Sequence, residues 1–364
     1  MALSAEERSR YARHLSLPGF GPGAQERLRE SSVLVIGAGG LGCPALLYLA
    51  AAGVGRIRIV DDDKVDASNL QRQVLFTSED VGSPKAECAA RRIRALNPLI
   101  LVEALGTRFG RANACELASS CDLVLDASDN FATRYLANDA CVLARRPLVY
   151  GAVQGFEGHV SVFNLGGGPT YRDLFPEPPD AGTVPNCAEA GVLGAVTGLV
   201  GSAQACEAIK VLSGTGEPLS GRLLVIDALS MTSAVIALRK DPSAPPVAQL
   251  PPEGYGETCA PEQADEIGPD ELASLIQSGT PVQLLDVREG WEREESSISP
   301  SKHIPLRFLE SSAPGELAPF DPARRTVVYC AVGVRSLRGI QILRERHGYR
   351  SAVSLRGGMR GWRP

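Results

Sequence analysis

Segment 33–42 has the composition of a phosphate-binding loop. Four apolar residues run directly into Gly37, Gly39, Gly40 and Gly42, and this pattern predicts a buried strand that turns sharply into a helix. Such a junction presents backbone N–H groups and the positive end of the helix dipole to an anion, and glycine lets the backbone approach that anion closely. The alternative interpretation is a turn and a helix-packing seam without a ligand.

Acidic residues after the next strand favour a nucleotide as the ligand. The segment 56–60 predicts a second strand, which runs directly into Asp61, Asp62 and Asp63. A carboxylate at about this distance from a glycine loop binds a ribose hydroxyl in dinucleotide-binding folds. The strand, helix and strand therefore predict a nucleotide-binding unit, although the pattern leaves the identity of the nucleotide open.

Polar side chains further along the chain could complete the phosphate site. Asn69, Arg72 and Gln73 lie just beyond the second strand, on the side where the carboxyl ends of parallel strands form a ligand crevice. A solvated loop is the other interpretation of this segment. Ser83 as N-cap and a proline in the first turn predict a helix whose start directs Lys85 at the same site.

Asp129 follows the strand predicted near 122–126 and is a candidate magnesium ligand. Magnesium in phosphate-transfer sites is usually bound through one or two carboxylates together with the substrate phosphates. A structural role as the N-cap of the helix that begins at Asn130 is equally compatible with the sequence. The sequence alone leaves both interpretations open.

Arg13 and Cys187 each have a functional and a structural interpretation. A capping box at residues 4–7 predicts a short helix through Arg13, whose spacing alone indicates a solvated cation at the helix C-terminus. Cys187 precedes an apolar run at 190–205 that predicts a buried helix, and a helix N-terminus can lower the pKa of a thiol from about 8.5. A buried, inert thiol is the alternative for Cys187.

Cys330 has the surroundings of a sulfur-carrying cysteine. It follows the buried strand predicted at 326–329, and four residues separate it from Arg335. A cysteine between a parallel strand and a helix lies in a cradle of backbone N–H groups that stabilises a thiolate or a persulfide. Tyrosine-phosphatase loops have one residue more between cysteine and arginine, so this smaller cradle suits a sulfur atom. A buried cysteine beside a solvated arginine is the alternative.

The elements around these residues predict an α/β fold. Alternating strands and helices up to Gly151 predict a Rossmann-like, doubly wound parallel sheet, and the segment 157–163 predicts antiparallel strands that extend it. The proline-rich segment 243–266 has no periodicity and predicts a linker. We therefore expect a first domain over 1–242 and a small α/β domain over 267–364.

Composition excludes several classes of function. The chain has 364 residues, 44% hydrophobic and 22% charged, which is enough for two domains that each bury a core. A net charge of −5 without a basic run argues against partners such as nucleic acid or a membrane. The N-terminal residues lack the pattern of a secretory signal, so we expect a cytoplasmic protein with reduced cysteines. None of its nine cysteines forms a Cys-x-x-Cys pair.

Residues 4–240 resemble the adenylyltransferases of the ThiF/MoeB type, relatives of ubiquitin-activating enzymes, and residues 267–364 resemble a rhodanese domain. The first resemblance is carried by the glycine loop, Asp61, Asp63 and the segments 10–13, 69–73, 82–85, 126–130 and 187–191. The second is carried by the Cys330 loop, the segments 285–289 and 303–305, and the glycine pair 357–358 followed by Trp362.

This resemblance implies an enzyme that uses ATP and magnesium to adenylate the C-terminal Gly-Gly carboxylate of a small ubiquitin-like sulfur carrier protein. Sulfur transfer would then give a thiocarboxylate, with thiosulfate or a cysteine desulfurase as the sulfur donor. It further implies a homodimer in which Arg13 reaches the ATP of the neighbouring subunit. Cys330 would carry the persulfide, and Cys187 would act after adenylation by capturing the carrier or resolving a disulfide.

The resemblance also assigns the individual site residues. Catalysis is assigned to Arg13, Arg72, Lys85, Asp129, Cys187 and Cys330, with Asp129 holding magnesium transiently. Binding of the nucleotide is assigned to Gly37, Gly39, Gly40, Gly42, Asp61, Asp63, Asn69, Gln73 and Asn130.

Zinc is not expected, and two other functions compete with the one that the resemblance implies. Zinc-bearing relatives have Cys-x-x-Cys where this chain has Thr-Tyr-Arg-Asp at 170–173, and the second pair near 241–243 is missing too.

An NAD-dependent dehydrogenase would need an acid–base group beside a hydride acceptor, which the four histidines do not suggest. An adenylating enzyme with a non-catalytic rhodanese module is the other alternative, against which Cys330 argues.

Overall fold

The computed structural model describes residues 2–178, 191–251, 255, 266–312 and 320–362. These residues form two compact units, of which the first extends to residue 255 and the second begins at residue 266. In the described part of the chain, no helix is both long enough and apolar enough to cross a membrane.

The first unit is built on one eight-stranded sheet. Its strands are β1 (Ser32–Ile36), β2 (Arg56–Val60), β3 (Leu101–Leu105), β4 (Leu123–Asp126), β5 (Leu148–Gln154), β6 (Glu157–Phe163), β7 (Arg222–Asp227) and β8 (Thr232–Ala237). They lie in the order β3-β2-β1-β4-β5-β6-β7-β8. Strands β1 to β5 are parallel, and β6 to β8 continue the sheet in antiparallel pairing. The predicted Rossmann-like sheet with an antiparallel extension is confirmed.

Helices cover both faces of this sheet. Val33 and Val35 of β1 belong to one apolar core, and Leu34 and Ile36 belong to the other, because successive side chains of a strand point to opposite faces. The helices are α1 (Ala5–Arg10), α2 (Ala12–Leu15), α3 (Gly21–Glu30), α4 (Gly42–Ala52), α5 (Lys85–Leu96), α6 (Ala114–Ser119), α7 (Phe131–Ala144), α8 (Tyr171–Leu174) and α9 (Gly194–Ser213).

The N-terminal helix is shorter than the sequence predicts. The Ser4 and Glu7 capping box is present, but α1 ends at Arg10. Tyr11 interrupts the helix because its ring is buried under Gly53 and its hydroxyl accepts a hydrogen bond from Asn97 Nδ2 at 2.9 Å. Arg13 therefore lies on the separate helix α2.

The second unit is a five-stranded parallel sheet with helices on both faces. Its strands are β9 (Glu266–Ile267), β10 (Gln283–Asp286), β11 (Lys302–His303), β12 (Thr326–Tyr329) and β13 (Ala352–Leu355), in the order β11-β10-β12-β13-β9. The helices are α10 (Pro269–Gln277), α11 (Gly290–Glu295), α12 (Leu306–Ser311), α13 (Val334–His347) and α14 (Gly358–Gly361). The predicted small α/β domain is confirmed, and Cys330 follows its central strand.

Part of the predicted linker packs on the first unit. Tyr255 donates a hydrogen bond to Asp139 Oδ2 at 2.7 Å, and its ring stacks on Tyr135 with a centroid distance of 6.4 Å. Leu250 packs against the same apolar core. The linker boundaries at 243 and 266 stay a prediction, since much of this segment lies outside the described residues.

Candidate functional site

The glycine loop lies between β1 and β4, where the strand order of the sheet reverses. Ligands of doubly wound sheets bind outside the carboxyl ends of the strands at this point. Gly37 has a φ of +90°, and a Cβ there would lie 3.1 Å from the carbonyl oxygen of Ala127, which follows β4. A Cβ at Gly42 would lie 2.0 Å from the carbonyl oxygen of Gly37. Only glycine allows α4 to begin so close to β1.

Asp61 connects the glycine loop to the end of β2. Its Oδ2 accepts a hydrogen bond from the backbone N–H of Ala38 at 2.8 Å, and its Oδ1 accepts one from the N–H of Asp63 at 2.9 Å. Burial raises the pKa of Asp61 and outweighs the opposing effect of these two hydrogen bonds. The carboxylate predicted to contact ribose therefore also fixes the shape of the loop.

Lys85 and Asp63 form an ion pair beside this network. Lys85 Nζ donates to Asp63 Oδ2 at 2.8 Å, with 8% of the lysine side chain and 71% of the aspartate side chain exposed. The predicted N-cap is wrong, because Pro84 occupies that position and Lys85 is the first residue of α5. Pro84 has no side-chain acceptor, so the backbone N–H groups at this helix start receive no cap from it.

Gln73 contributes an unsatisfied acceptor next to the glycine loop. Its side chain is 3% exposed, and its Nε2 lies 3.9 Å from a Cβ built at Gly39. Among the residues that the structure describes, no group donates a hydrogen bond to its Oε1. A buried polar atom without a partner costs about 1–3 kcal/mol, and a donor group on a ligand would relieve this cost. Gln73 and Arg72 both donate their backbone N–H groups to the carbonyl oxygen of Asn69, which holds this turn together.

The segment after β4 separates the two interpretations of Asp129. Asn130 is the N-cap of α7, and its side-chain oxygen accepts a hydrogen bond from the N–H of Thr133 at 2.9 Å. The N-cap interpretation of Asp129 is therefore wrong. Asp129 is exposed, and within the described ranges no hydrogen bond or ion pair occupies its carboxylate.

Asp126 is a buried carboxylate at the same strand end, in a segment that carries the resemblance but without a role assigned from the sequence. Its Oδ1 accepts hydrogen bonds from the backbone N–H and the hydroxyl of Ser128, whereas its Oδ2 has no partner within the described part of the chain. Burial raises the pKa of Asp126, although the charge of Arg134 acts in the opposite direction. The carboxylate shapes the loop that leads to Asp129.

Helix α9 brings one residue to the glycine loop and another to the end of β4. A Cβ at Gly40 would lie 3.1 Å from Thr197 Cγ2, and Gln204 Nε2 donates to the carbonyl oxygen of Asp126 at 2.6 Å. Thr197 follows the loop by more than a hundred residues, so no local pattern indicates it. Gln204 does leave a signal, because it is a polar residue in a mostly apolar helix. Its Oε1 is buried and has no hydrogen-bond partner among the described residues.

The contacts of the described residues do not place Arg13 in the nucleotide site. Arg13 is exposed on α2, and no side-chain hydrogen bond or ion pair joins it to another described residue. Cys187 lies outside the described residues. Arg72 is half-buried, and its Nη1 donates to the carbonyl oxygen of Ser68 at 3.2 Å.

In the second unit, Cys330 lies between β12 and α13, as the sequence predicts. The residue is fully buried, and its Sγ accepts hydrogen bonds from the backbone N–H of Gly333 at 3.1 Å and from Ser336 Oγ at 3.5 Å. Gly358 closes the other side, because a Cβ there would lie 2.3 Å from the carbonyl oxygen of Cys330. The N–H of Met359 donates to the same oxygen at 2.8 Å.

Residues of the first unit at 11–246 match the ThiF family, and residues 268–364 match the rhodanese-like domain. The first of these matches alone covers more than half of the chain. The chain belongs to the ThiF family.

This ThiF family chain is similar to proteins whose names describe adenylyl transfer, in two cases together with sulfur transfer. The probable adenylyltransferase/sulfurtransferase MoeZ of Mycobacterium tuberculosis is 48% identical over 99% of this chain and 94% of MoeZ. The adenylyltransferase and sulfurtransferase MOCS3 of Sus scrofa is 44% identical over 85% of this chain and 72% of that protein. The sulfur carrier protein adenylyltransferase of Thermus thermophilus is 54% identical over 67% of this chain and 92% of that protein.

Solved structures of Escherichia coli MccB share the fold of this ThiF family chain. MccB with the peptide MccA-N7isoASN has a TM-score of 0.58 and 22% identity, over 68% of this chain and 76% of MccB. MccB with ATP has a TM-score of 0.55 and 23% identity, over 65% of this chain and 74% of MccB. At this identity the likeness is one of fold alone.

Replacing Lys85 by alanine should lower the rate of ATP–pyrophosphate exchange by about 10²-fold, since one fixed donor to a charged transition state contributes about that much. Stability should change little, because its partner Asp63 is mostly exposed and can be solvated instead. The exposed Lys64→Ala is the matched control. Normal exchange in the Lys85 variant would show that Lys85 forms its ion pair with Asp63 but does not contribute to adenylation.

Replacing Arg288 by alanine should destabilise the second unit by about 3–5 kcal/mol. Arg288 donates from Nε and Nη2 to the two oxygens of Asp286, which is fully buried. The variant removes these hydrogen bonds and leaves Arg293 Nη1, at 3.9 Å from Oδ2, as a more distant counter-charge. Tryptophan fluorescence during denaturation reports on this unit specifically, because both tryptophans of the chain, Trp291 and Trp362, lie in it.

The exposed pair of Arg325 with Glu271 supplies the control for this measurement. Arg325→Ala should change the free energy of unfolding by less than about 1 kcal/mol. An unchanged denaturation midpoint in Arg288→Ala, combined with lost sulfur transfer, would instead assign Arg288 to the chemistry.

Proposed function

We propose that this ThiF family enzyme activates the C-terminal Gly-Gly carboxylate of a small ubiquitin-like sulfur carrier protein with ATP and then converts it to a thiocarboxylate. The observation that carries the proposal is the presence in one chain of a glycine loop at the switch point of the first sheet and of a buried cysteine between a parallel strand and a helix of the second unit. That chain aligns over 99% of its length with a relative named as an adenylyltransferase/sulfurtransferase. The enzyme is accordingly an adenylyltransferase and a sulfurtransferase.

Adenylation needs alignment and charge neutralisation rather than a strong base. The carrier carboxylate is already ionised at neutral pH, so its oxygen can attack the α-phosphorus of ATP while pyrophosphate leaves with the electrons of the broken P–O bond. Arg72 and Lys85 would neutralise the phosphates from within one subunit. Arg13 would do so from the neighbouring subunit of a homodimer, which accounts for its exposed position without a partner in the described chain.

The glycine loop and its neighbours would bind the nucleotide. Gly37, Gly39, Gly40 and Gly42 would let the backbone approach the phosphates, and Gln73 would offer its unsatisfied Oε1 to a donor group of the ligand. The remaining proposed nucleotide contacts are Asp61, Asp63, Asn69 and Asn130.

Magnesium fits this site as a metal held mainly by the phosphates of ATP. No cluster of three or more metal-binding side chains occurs among the described residues, but the exposed carboxylate of Asp129 has oxygens available. A single carboxylate with substrate phosphates is a usual magnesium environment. The ion would supply neutralisation of phosphate charge, with Asp129 as its protein ligand.

Sulfur transfer would begin from a persulfide on Cys330. Its outer sulfur would attack the carbonyl carbon of the acyl adenylate, and AMP would leave, which joins the carrier to Cys330 through an acyl disulfide. A thiolate, for which we propose Cys187, would attack the Cys330 sulfur and release the thiocarboxylate. The resulting protein disulfide would then be reduced by a cellular thiol, and we propose the cytoplasm as the location because it supplies both thiols and ATP.

Mass spectrometry of candidate carriers incubated with ATP, magnesium, a sulfur donor and the enzyme tests this proposal. The expected result is a conversion of the Gly-Gly carboxylate to a thiocarboxylate, with pyrophosphate exchange that depends on the carrier. Tight binding of NAD without exchange would favour a dehydrogenase. Adenylation without any sulfur transfer would favour a non-catalytic rhodanese module.

A further inference from the structure

The arginine of the Cys330 loop is held by a carboxylate from a different helix. Arg335 Nη1 donates to Glu292 Oε2 at 2.7 Å, and Arg335 Nη2 donates to Glu292 Oε1 at 2.6 Å. Both side chains are largely buried, with 12% of Glu292 and 21% of Arg335 exposed. A bidentate pair of this kind fixes the position of the guanidinium and compensates its charge.

This ion pair belongs to the loop that holds the sulfur, because Arg335 directly precedes Ser336, whose Oγ lies 3.5 Å from Cys330 Sγ. The hydrogen bonds with Glu292 are the main cause that raises the pKa of Arg335. Arg335 is therefore cationic, but Glu292 supplies an equal and opposite charge beside it. The attraction between Arg335 and an incoming anion is therefore weaker than it would be for an arginine without a paired carboxylate.

The sulfur donor of such an enzyme can be of two chemical classes with different charge. Thiosulfate is a dianion, and its reaction with the Cys330 thiolate forms an S–S bond to the sulfane sulfur and breaks the bond to the sulfonate, which leaves as sulfite. A persulfide R–S–SH reacts with the same thiolate by transfer of its outer SH group, and R–S⁻ leaves with the electrons of the broken S–S bond. Neither reaction needs another oxidant or reductant.

We propose that Glu292 determines donor specificity, because by pairing with Arg335 it disfavours dianionic thiosulfate and favours a persulfide donor. This inference rests on the proposed role of Cys330 as the sulfur acceptor and specifies its substrate class. A dianion needs fixed positive charge to offset its desolvation in a buried loop, and the charge of Arg335 is already matched. A persulfide carries at most one charge on its reacting group and requires mainly the backbone N–H cradle.

Glu292→Gln tests the inference with little change in structure. Glu292 Oε2 also accepts a hydrogen bond from the N–H of Glu289 at 2.9 Å in the capping box of α11, and glutamine preserves that acceptor. The measurement is the rate of persulfide formation on Cys330 of the full-length enzyme, by mass spectrometry, with thiosulfate or cysteine persulfide as donor. We expect the ratio of the thiosulfate rate to the persulfide rate to rise about tenfold, mainly through tighter binding of thiosulfate.

A double variant distinguishes two causes of a gain with thiosulfate, which are an unpaired Arg335 and the loss of one negative charge. Adding Arg335→Gln to Glu292→Gln should remove the gain with thiosulfate, and Glu271→Gln, which breaks an exposed ion pair of the same unit, should leave the ratio as in the wild type. An unchanged ratio in Glu292→Gln, or a gain that persists in the double variant, would overturn the inference. Persulfide formation that survives Cys330→Ala would instead overturn the proposed function itself.

Discussion

Replacing Asp129 by alanine will lower the rate of carrier-dependent ATP–pyrophosphate exchange by about 10²–10³-fold and leave the first unit folded. A magnesium ligand that stabilises developing phosphate charge contributes several kcal/mol to the transition state, and each 1.4 kcal/mol corresponds to about tenfold in rate. The fold should persist because Asp129 is exposed and Asn130, not Asp129, caps the next helix. Circular dichroism and exchange kinetics measured over a range of magnesium concentrations check both parts.

An exposed carboxylate on another loop provides the comparison. Glu79→Ala should retain wild-type exchange at every magnesium concentration, since Glu79 lies in a short 3-10 turn and outside its capping box. Near-normal exchange in Asp129→Ala would exclude the proposed magnesium role. Because the N-cap role is already excluded, Asp129 would then be a solvated loop residue.

Replacing Cys330 by alanine should reduce sulfur transfer from either donor to background while leaving pyrophosphate exchange intact. The variant lacks the nucleophile that forms the persulfide, whereas the nucleotide cleft belongs to the other unit and keeps all of its residues. Alanine fits the site because Cys330 is buried and its sulfur is held only by weak hydrogen bonds from Gly333 and Ser336. Thiocarboxylate formation should return when inorganic sulfide is supplied.

Variants of two other cysteines serve as comparisons for Cys330→Ala. The exposed Cys206 on α9 is the control, and Cys206→Ala should retain exchange and sulfur transfer. Cys187→Ala should retain both half-reactions and slow only their coupling, because its proposed role begins after the acyl adenylate has formed. Loss of pyrophosphate exchange in Cys330→Ala would contradict the division of the chemistry between the two units.

The sequence alone determines the local elements of both sites. The glycine loop, the strand that ends at Cys330 and the cap at Ser4 depend on residues within a few positions of one another. Backbone sterics and short-range hydrogen bonds govern such features, so their residue types predict them directly. The same reasoning fails by one position at Pro84 and Asn130. Asp129 and Asn130 have similar capping preferences. At Pro84 a tertiary contact replaces the cap, because the N–H of Lys85 donates to the carbonyl oxygen of Asp63.

Only the tertiary structure decides which of these elements meet. Lys85 pairs with Asp63 across 22 positions, and Arg335 pairs with Glu292 across 43 positions. Thr197 reaches the glycine loop from a helix that the sheet order folds back onto α4. These contacts depend on strand order and on the packing of helices against both faces of a sheet, which no short segment encodes. The sequence therefore specifies the reactive groups, and the topology determines which charges stand beside them.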